Sequence, residues 1–338
     1  MEPGDALRRV AYLLERGRAE SYKVRAFRRA AATVEATDRA VLERLAAAGR
    51  LRDLDGVGET TARVIAEAMA GGTPEYLRAL ENEPQPALSE TAAALRRALR
   101  GDCHSHSDWS DGGSPIREMA EAARALDHEY LALTDHSPRL TVAHGLDATR
   151  LEAQLEEVAR VNEEMVPWRL LTGIEVDILE DGSLDQSEEL LARLDVVVAS
   201  VHSKLRMEAR QMTRRMIRAV ESPHVDILGH CTGRLIAGRG RPESSFDADA
   251  VFDACARTGT AVEVNSRPER RDPPPALLAL AAEKGCLVSI DTDAHAPGQL
   301  EWLELGCEQA AEAGLGPDRV VNALSVDELL AWTASHEG

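Results

Sequence analysis

Nine side chains able to hold a metal ion stand at or just past the ends of six of the seven apolar runs in this 338-residue chain. His104 and His106 lie in Cys103-His104-Ser105-His106, with Asp111 following in Ser110-Asp111-Gly112. His136 ends Leu131-Ala132-Leu133-Thr134-Asp135-His136, and Glu175 lies in Leu170-Leu171-Thr172-Gly173-Ile174-Glu175. His202 and His230 end the runs 196–202 and 225–230, and Asp293 and His295 end the run 287–295. Six of the ten histidines therefore close strand-like segments, which packing alone does not explain. Residues two apart in a strand share a face, so His104 and His106 can grip one ion, as can Asp293 and His295. Imidazole and carboxylate without thiolate suit Zn²⁺, Mn²⁺ or Fe²⁺ rather than Mg²⁺ or Ca²⁺ alone. One ion takes roughly four to six ligands, so two or three clustered ions are the economical reading. Such clusters, about 3.5–4 Å apart, make a hydroxide at neutral pH and stabilise attacking and leaving oxygens in phosphoryl chemistry. The sequence holds no Ser-His-Asp nucleophile arrangement, no Walker-type phosphate loop and no H-E-x-x-H pair, and hydrolysis by metal-activated water needs none.

The elements that must position these residues begin at 101. Apolar runs near 101–105, 130–135, 170–177, 195–201, 226–230, 261–265 and 286–292 alternate with amphipathic stretches at 115–126, 148–165, 187–193, 207–221, 247–258 and 275–284. Repeated β-α alternation predicts a mainly parallel sheet with helices outside, and seven units over this length fit a distorted (β/α)7 TIM-like barrel. Active groups of such barrels lie at the carboxyl ends of the strands, where all nine residues fall. Residues 1–81 read as a small all-α domain, with Leu7, Val10, Ala11 and Leu14, then Val24, Phe27 and Ala31, at helical spacing. Residues 82–100, with Pro84 and Pro86, read as a linker, ending in a short helix near 91–100. Residues 101–338 form the second domain.

The first hundred residues carry 17 basic and 15 acidic side chains, the remainder 22 and 43. A domain so acidic repels a phosphate backbone unless bound cations or local basic groups offset it. No run of 18 apolar residues and no signal-peptide pattern occurs, which places the chain in the cytoplasm. Five cysteines without a C-x-x-C pair fit reduced thiols; Cys103 and Cys231 adjoin ligand histidines and read as small buried side chains or as intruders on a metal. His128, His144, His224 and His336 lie outside the pattern and read as surface or loop residues.

Residues 101–296 resemble the PHP (polymerase and histidinol phosphatase) family, most of all the PHP domain attached to bacterial family-X DNA polymerases. The resemblance rests on residues 101–112, Ala132-Leu133-Thr134-Asp135-His136-Ser137, Gly173-Ile174-Glu175-Val176-Asp177, Ala199-Ser200-Val201-His202-Ser203-Lys204, Gly229-His230-Cys231-Thr232-Gly233-Arg234 and Ile290-Asp291-Thr292-Asp293-Ala294-His295. It implies three ions, held by His104, His106, Glu175 and Asp293; by Glu175, His202 and His230; and by Asp111, His136 and His295. His104, His106, Glu175 and Asp293 would be the catalytic group, with a bridging water or hydroxide attacking phosphorus. Arg234, Lys204 or Arg267 would steady a substrate phosphate, or else form ordinary salt bridges. Cys231 departs from the family, which usually has proline there.

The N-terminal stretch is similar to the helix–hairpin–helix domain of the same polymerases, through Tyr22-Lys23-Val24-Arg25-Ala26-Phe27-Arg28-Arg29 and Leu54-Asp55-Gly56-Val57-Gly58. Two glycines before a helix let backbone N–H groups approach a phosphate, with Lys23, Arg25, Arg28 and Arg29 adding a basic edge. The family's lyase lysine is replaced by Val64, so Schiff-base chemistry is not expected. A polymerase palm has no room between 81 and 101. The expectation is a metal-dependent phosphoesterase acting on nucleic acid, DNA ahead of RNA: a 3′–5′ exonuclease or remover of 3′ blocking groups. The alternatives are a phosphatase of small monoesters such as histidinol phosphate, and a binding module with structural metals.

Overall fold

The computed structural model describes residues 1–337; Gly338, the end of the second domain as read from sequence, lies outside the described residues. The chain divides into two compact units, residues 1–87 and 88 onward.

The first unit is helical, with helices Pro3–Arg16, Ser21–Ala36, Arg39–Ala47, Glu59–Met69 and Glu75–Glu81. The apolar stripe of Leu7, Val10, Ala11 and Leu14 packs with Phe27, Ala30, Val64, Ile65 and Leu77 in one core. Val64, where the resemblance would place a lysine, is wholly buried. Asp38 caps its helix by accepting from the backbone N–H groups of Ala40 and Val41.

The second unit begins earlier than its first strand. Helix Glu90–Ala98, capped by Ser89, buries Ala92 and Leu95 against Val288, Ile290, Leu303 and Cys307. The stretch read as a linker over 82–100 thus ends near 87, because this amphipathic helix belongs to the barrel's core. Seven strands follow: β1 Gly101–Ser105, β2 Tyr130–Leu133, β3 Arg169–Asp177, β4 Val196–Ser200, β5 Ile227–Leu228, β6 Ala261–Asn265 and β7 Val288–Asp291. They pair in sequence order and all in parallel. The expected (β/α)7 barrel is the observed fold. Side chains alternate between two layers. Ile174, Val176, Val197, Ala199 and Val262 face the surrounding helices, while Tyr130, Leu171, Val196, Val198, Ile227 and Ala261 form a separate apolar cluster with Val321 and Leu329. Helices Leu303–Glu312 and Val326–Ala334 were not anticipated, although Ser325 and Glu328 of the latter form a reciprocal capping box legible in Ser-Val-Asp-Glu. Among the described residues no helix is long and apolar enough to cross a membrane.

The ring has a seam. β7 and β1 share no continuous ladder, and side chains join them instead. The buried Asn322 donates to the carbonyls of Gly101 (3.0 Å) and Ile290 (2.6 Å) and accepts from Ile290 N–H (3.0 Å). Asp102 accepts from the Thr292 hydroxyl (2.5 Å) and N–H (3.3 Å), and Asp291 accepts from Cys103 N–H (2.8 Å). Above them the His106 N–H reaches the Ala294 carbonyl at 2.8 Å.

Two of the four outlying histidines are not surface residues. His128 is 3% exposed beside Arg96, with its carbonyl accepting from the Trp168 indole, and His336 turns its ring onto Asp226 at 2.9 Å. Both are drawn inward by neighbours distant in sequence.

Two stability predictions follow from these contacts. Asn322→Ala leaves buried seam groups unsatisfied and is expected to cost about 3 kcal/mol in urea unfolding. Burial, with Arg96 nearby, lowers the His128 pKa from 6.5 to about 3. The folded chain keeps His128 neutral while the unfolded chain binds a proton below its ordinary pKa. Stability from this group is complete above that pKa and declines as pH falls through the window down to the folded value, by about 1.4 kcal/mol per unit. His128→Gln should flatten that slope in melts run across the same window.

Candidate metal centre

All nine ligand candidates converge at the carboxyl ends of the strands, around Glu175. The Glu175 carboxylate, 1% exposed, lies 2.8 Å from His136 Nδ1 and His230 Nε2, 3.2 Å from His202 Nε2, 3.4 Å from His104 Nε2 and 3.6 Å from His106 Nε2. Asp293 Oδ1 lies 3.5 Å from His106 Nε2. Asp111, the most exposed of the nine, sits 3.4 Å from His136 Nε2 and 3.3 Å from His295 Nε2. In three overlapping groups the ligand atoms lie within 4.8 Å of one another: His106, Asp111, His136 and His295; His104, His106 and Glu175; His136, Glu175 and His202.

Local backbone explains the convergence. β3 places Glu175 and Asp177 on one face, and a Cβ at Gly229, just before His230, would stand 2.2 Å from the Ser200 hydroxyl. Asp293 adopts φ +52°, a strained left-handed turn after β7. The loop bearing Asp111 hangs from buried Asp135, which accepts from Ser107 N–H (2.8 Å), the Ser107 hydroxyl (2.6 Å), the Ser110 hydroxyl and Gln154 (2.6 Å).

A second ring of residues, which the sequence reading missed, orients the first. Glu263 accepts from His104 Nδ1 at 2.6 Å and from His230 N–H at 2.5 Å, leaving His104 Nε2 to face Glu175. Asp177 bonds His202 Nδ1. Asn265 and Arg270 donate to Asp293 at 3.2 and 3.1 Å. Such partners fix ring orientation and raise ligand basicity. The signal was present: an apolar strand Ala-Val-Glu-Val-Asn puts Glu263 and Asn265 on the face opposite its valines.

The electrostatics are those of a charged hub. Burial disfavours the ionised Glu175, but His202, His104 and His136 outweigh it and hold its pKa well below the usual range. Burial likewise opposes charge on His104, yet Glu263 and Glu175 raise its pKa well above normal. His202 is raised to about 9 against burial by Glu175 and Asp177. His106 is pushed well below normal by burial and by His295 and His136. Buried His104 Nε2, both ring nitrogens of His106, His202 Nε2 and Glu175 Oε2 make no hydrogen bond among the described residues. Orphaned buried nitrogens aimed at a carboxylate, with no thiolate among them, fit divalent cations. Cys103 packs among Tyr130, Ala132 and Leu171, and Cys231 turns toward Asp272 at 3.8 Å, so neither thiol enters the ligand cluster.

The phosphate candidates separate. Arg267 reaches His295 Nδ1 (3.0 Å) and Asp293 Oδ1 (3.4 Å) and so borders the cluster. Lys204 stands exposed 3.8 Å from Glu180. Arg234 spends its guanidinium on the Arg270 and Arg271 carbonyls and on Glu243, the salt-bridged reading of that residue.

In the N-terminal unit Lys23, Arg25 and Arg29 are exposed, while Arg28 is turned onto the buried Glu15 at 2.6–2.7 Å. Arg29 forks onto Asp55 at 2.7 and 2.9 Å. Gly56 has φ +71° and its Cα abuts the Arg29 side chain; Gly58 opens helix Glu59–Met69, and a Cβ there would meet nothing.

Residues 102–267 match the model of the PHP domain and residues 2–74 that of a helix-hairpin-helix domain. The chain is 40% identical over 234 residues, 69% of its length, to the DNA polymerase/3′-5′ exonuclease PolX of Bacillus subtilis (strain 168), and covers only 41% of that protein. It is 28% identical over 233 residues to a probable phosphatase of Thermoanaerobacter sp. (strain X514), covering 65% of this chain and 89% of that one. A solved histidinol phosphate phosphatase from Lactococcus lactis subsp. lactis Il1403 aligns at 18% identity with a TM-score of 0.46, over 64% of this chain and 94% of the other.

Glu263→Gln should weaken metal binding by roughly 10–100-fold in a chelator-competition titration, because His104 loses the charged acceptor that orients it and raises its basicity. Bound metal measured by plasma mass spectrometry should fall further in Glu175→Ala than in Asp111→Ala, since the hub touches five histidines.

Proposed function

We propose that this chain, which carries a PHP domain C-terminal to a helix-hairpin-helix domain, hydrolyses nucleic-acid phosphodiesters or removes blocking groups at 3′ ends, on DNA ahead of RNA. The coarser statement is firm: the chain is a metal-dependent hydrolase. The observation that carries the reading is the gathering of six imidazoles and two further carboxylates around one buried glutamate.

Three divalent ions suit these ligands, Mn²⁺, Zn²⁺ or Fe²⁺. His104, His106, Glu175 and Asp293 would hold the first, Glu175, His202 and His230 the second, and Asp111, His136 and His295 the third. When bound, such ions supply Lewis acidity and activate water at neutral pH. The protein's own groups do the rest. Glu263 and Asp177 keep His104 and His202 aimed at the hub. Arg267 holds Asp293 and His295 and, a quarter exposed, can meet a substrate phosphate. Lys204, in the loop after His202, is the second phosphate contact, and Arg234 acts by bracing the 270–271 segment through its carbonyls. In the helical unit the turn at Gly56 and Gly58 presents helix N–H groups to a backbone phosphate, beside Lys23, Arg25 and Arg29. Five free, buried cysteines suit a reducing cytoplasm.

A second reading, phosphatase of a small monoester, is favoured by the relative described as a probable phosphatase, which this chain matches over 89% of its length. A denaturing gel of a 5′-labelled DNA strand with Mn²⁺-loaded protein separates them. A ladder shortening from the 3′ end, absent in His104→Ala, is expected. An intact strand, with phosphate released from small monoesters, would replace the nuclease reading by the phosphatase one.

A further inference from the structure

Basic charge within the barrel unit is gathered in a few segments, of which 204–218 is the longest. Residues 101–338 hold 43 acidic and 22 basic side chains, yet 204–218 hold six basic residues and one acid, Glu208. This segment leaves the barrel two residues after His202 and becomes helix Ala209–Val220. Three of the six have structural work. Arg215, 1% exposed, donates to the carbonyls of Ser203 (2.9 Å) and Ile178 (3.1 Å), tying the helix to the residue after His202 and to the loop after β3. Lys204 and Arg218 lie 3.8 and 3.3 Å from Glu180 and Asp181. Arg206, Arg210 and Arg214 are exposed and have no hydrogen bond or ion pair among the described residues. Arg210 and Arg214 are about 6 Å apart along the axis. A cleft of about 500 Å³, lined by Arg139 and Ser203 and by the acids Asp177, Glu180 and Asp181, lies just before this segment, and Asp177 in its wall bonds His202.

We propose that Arg206, Arg210 and Arg214 form a track for the single strand of nucleic acid that leads into the metal centre, each guanidinium meeting a successive phosphate. The proposal rests on the nuclease reading and extends the local cations at the centre, Arg267 and Lys204, along the outside of a net-acidic barrel. No aromatic side chain lies in 204–218, so contact along the row is electrostatic, without a stacking platform, and salt-sensitive.

The test compares full-length protein with a ridge variant (Arg206→Gln, Arg210→Gln, Arg214→Gln) and a control losing equal charge elsewhere on the barrel unit (Arg97→Gln, Arg124→Gln, Arg169→Gln). Glutamine keeps helix propensity, and no buried contact is removed. Binding of a fluorescent oligodeoxythymidylate is titrated across salt. Three lost phosphate contacts should reduce the slope of log K against log salt by about 2 in the ridge variant alone. The ratio of kcat/KM on the oligonucleotide to that on bis(p-nitrophenyl) phosphate should fall about tenfold. Equal slopes in ridge and control variants, or an unchanged ratio, would overturn the track while leaving nuclease activity standing. Absence of oligonucleotide cleavage by the unaltered protein would instead remove the nuclease reading, and the binding slopes would still decide the ridge.

Discussion

Burying a carboxylate without a compensating charge is among the costliest acts available to a protein, and the barrel is organised around compensating the one at Glu175. Five imidazoles meet that carboxylate, and each brings a second nitrogen that also needs direction. Glu263 and Asp177 supply it for His104 and His202, while Asn265, Arg267 and Arg270 close around Asp293. The same low dielectric that penalises an unpaired charge strengthens every contact in a satisfied network, so the outer ring is as much a condition of the centre as the ligands are.

That polar network occupies one end of an otherwise apolar barrel. Along β3, β4 and β6 the residues nearer the amino ends, Leu171, Val196, Val198 and Ala261, pack in an apolar cluster, whereas those nearer the carboxyl ends, Glu175, Asp177, Glu263 and Asn265, belong to the centre. The apolar portion stabilises by burial; the polar portion is tolerated because it is fully partnered or built for cations.

The fold and the inner ligands were legible because both depend on local pattern. Fully buried parallel strands read as continuous apolar runs, and a histidine or acid at the end of such a run stands out against them. The outer ring was harder to see: Glu263 lies inside a strand, and its partner His104 is 159 residues away. Arg28 looked like a phosphate contact because its sequence neighbours are basic, but Glu15, thirteen residues earlier, captures it. Arg234 was similarly ambiguous, since only the folded path of 270–271 brings carbonyls to its guanidinium. His128 and His336 lacked any periodic signature and were buried by distant partners. In each case local sequence identified the residue type and long-range contact determined its use.

The seam carries a consequence for how the barrel comes to exist. Every ladder joins strands adjacent in sequence, so β1 to β7 can accrue as successive neighbours, each closing a modest loop. The bonds that shut the ring, from Asp102 to Thr292, Cys103 to Asp291, His106 to Ala294 and Asn322 to Gly101, span 188–221 residues. Loop-closure entropy grows with the logarithm of length, which makes this junction the most expensive contact in the unit to form and places it late in folding. His104 and His106 on one side, and Asp293 and His295 on the other, are brought within reach only when it shuts. The full set of nine ligands is therefore a property of the completed ring, although β2 to β5 alone bring His136, Glu175, His202 and His230 together.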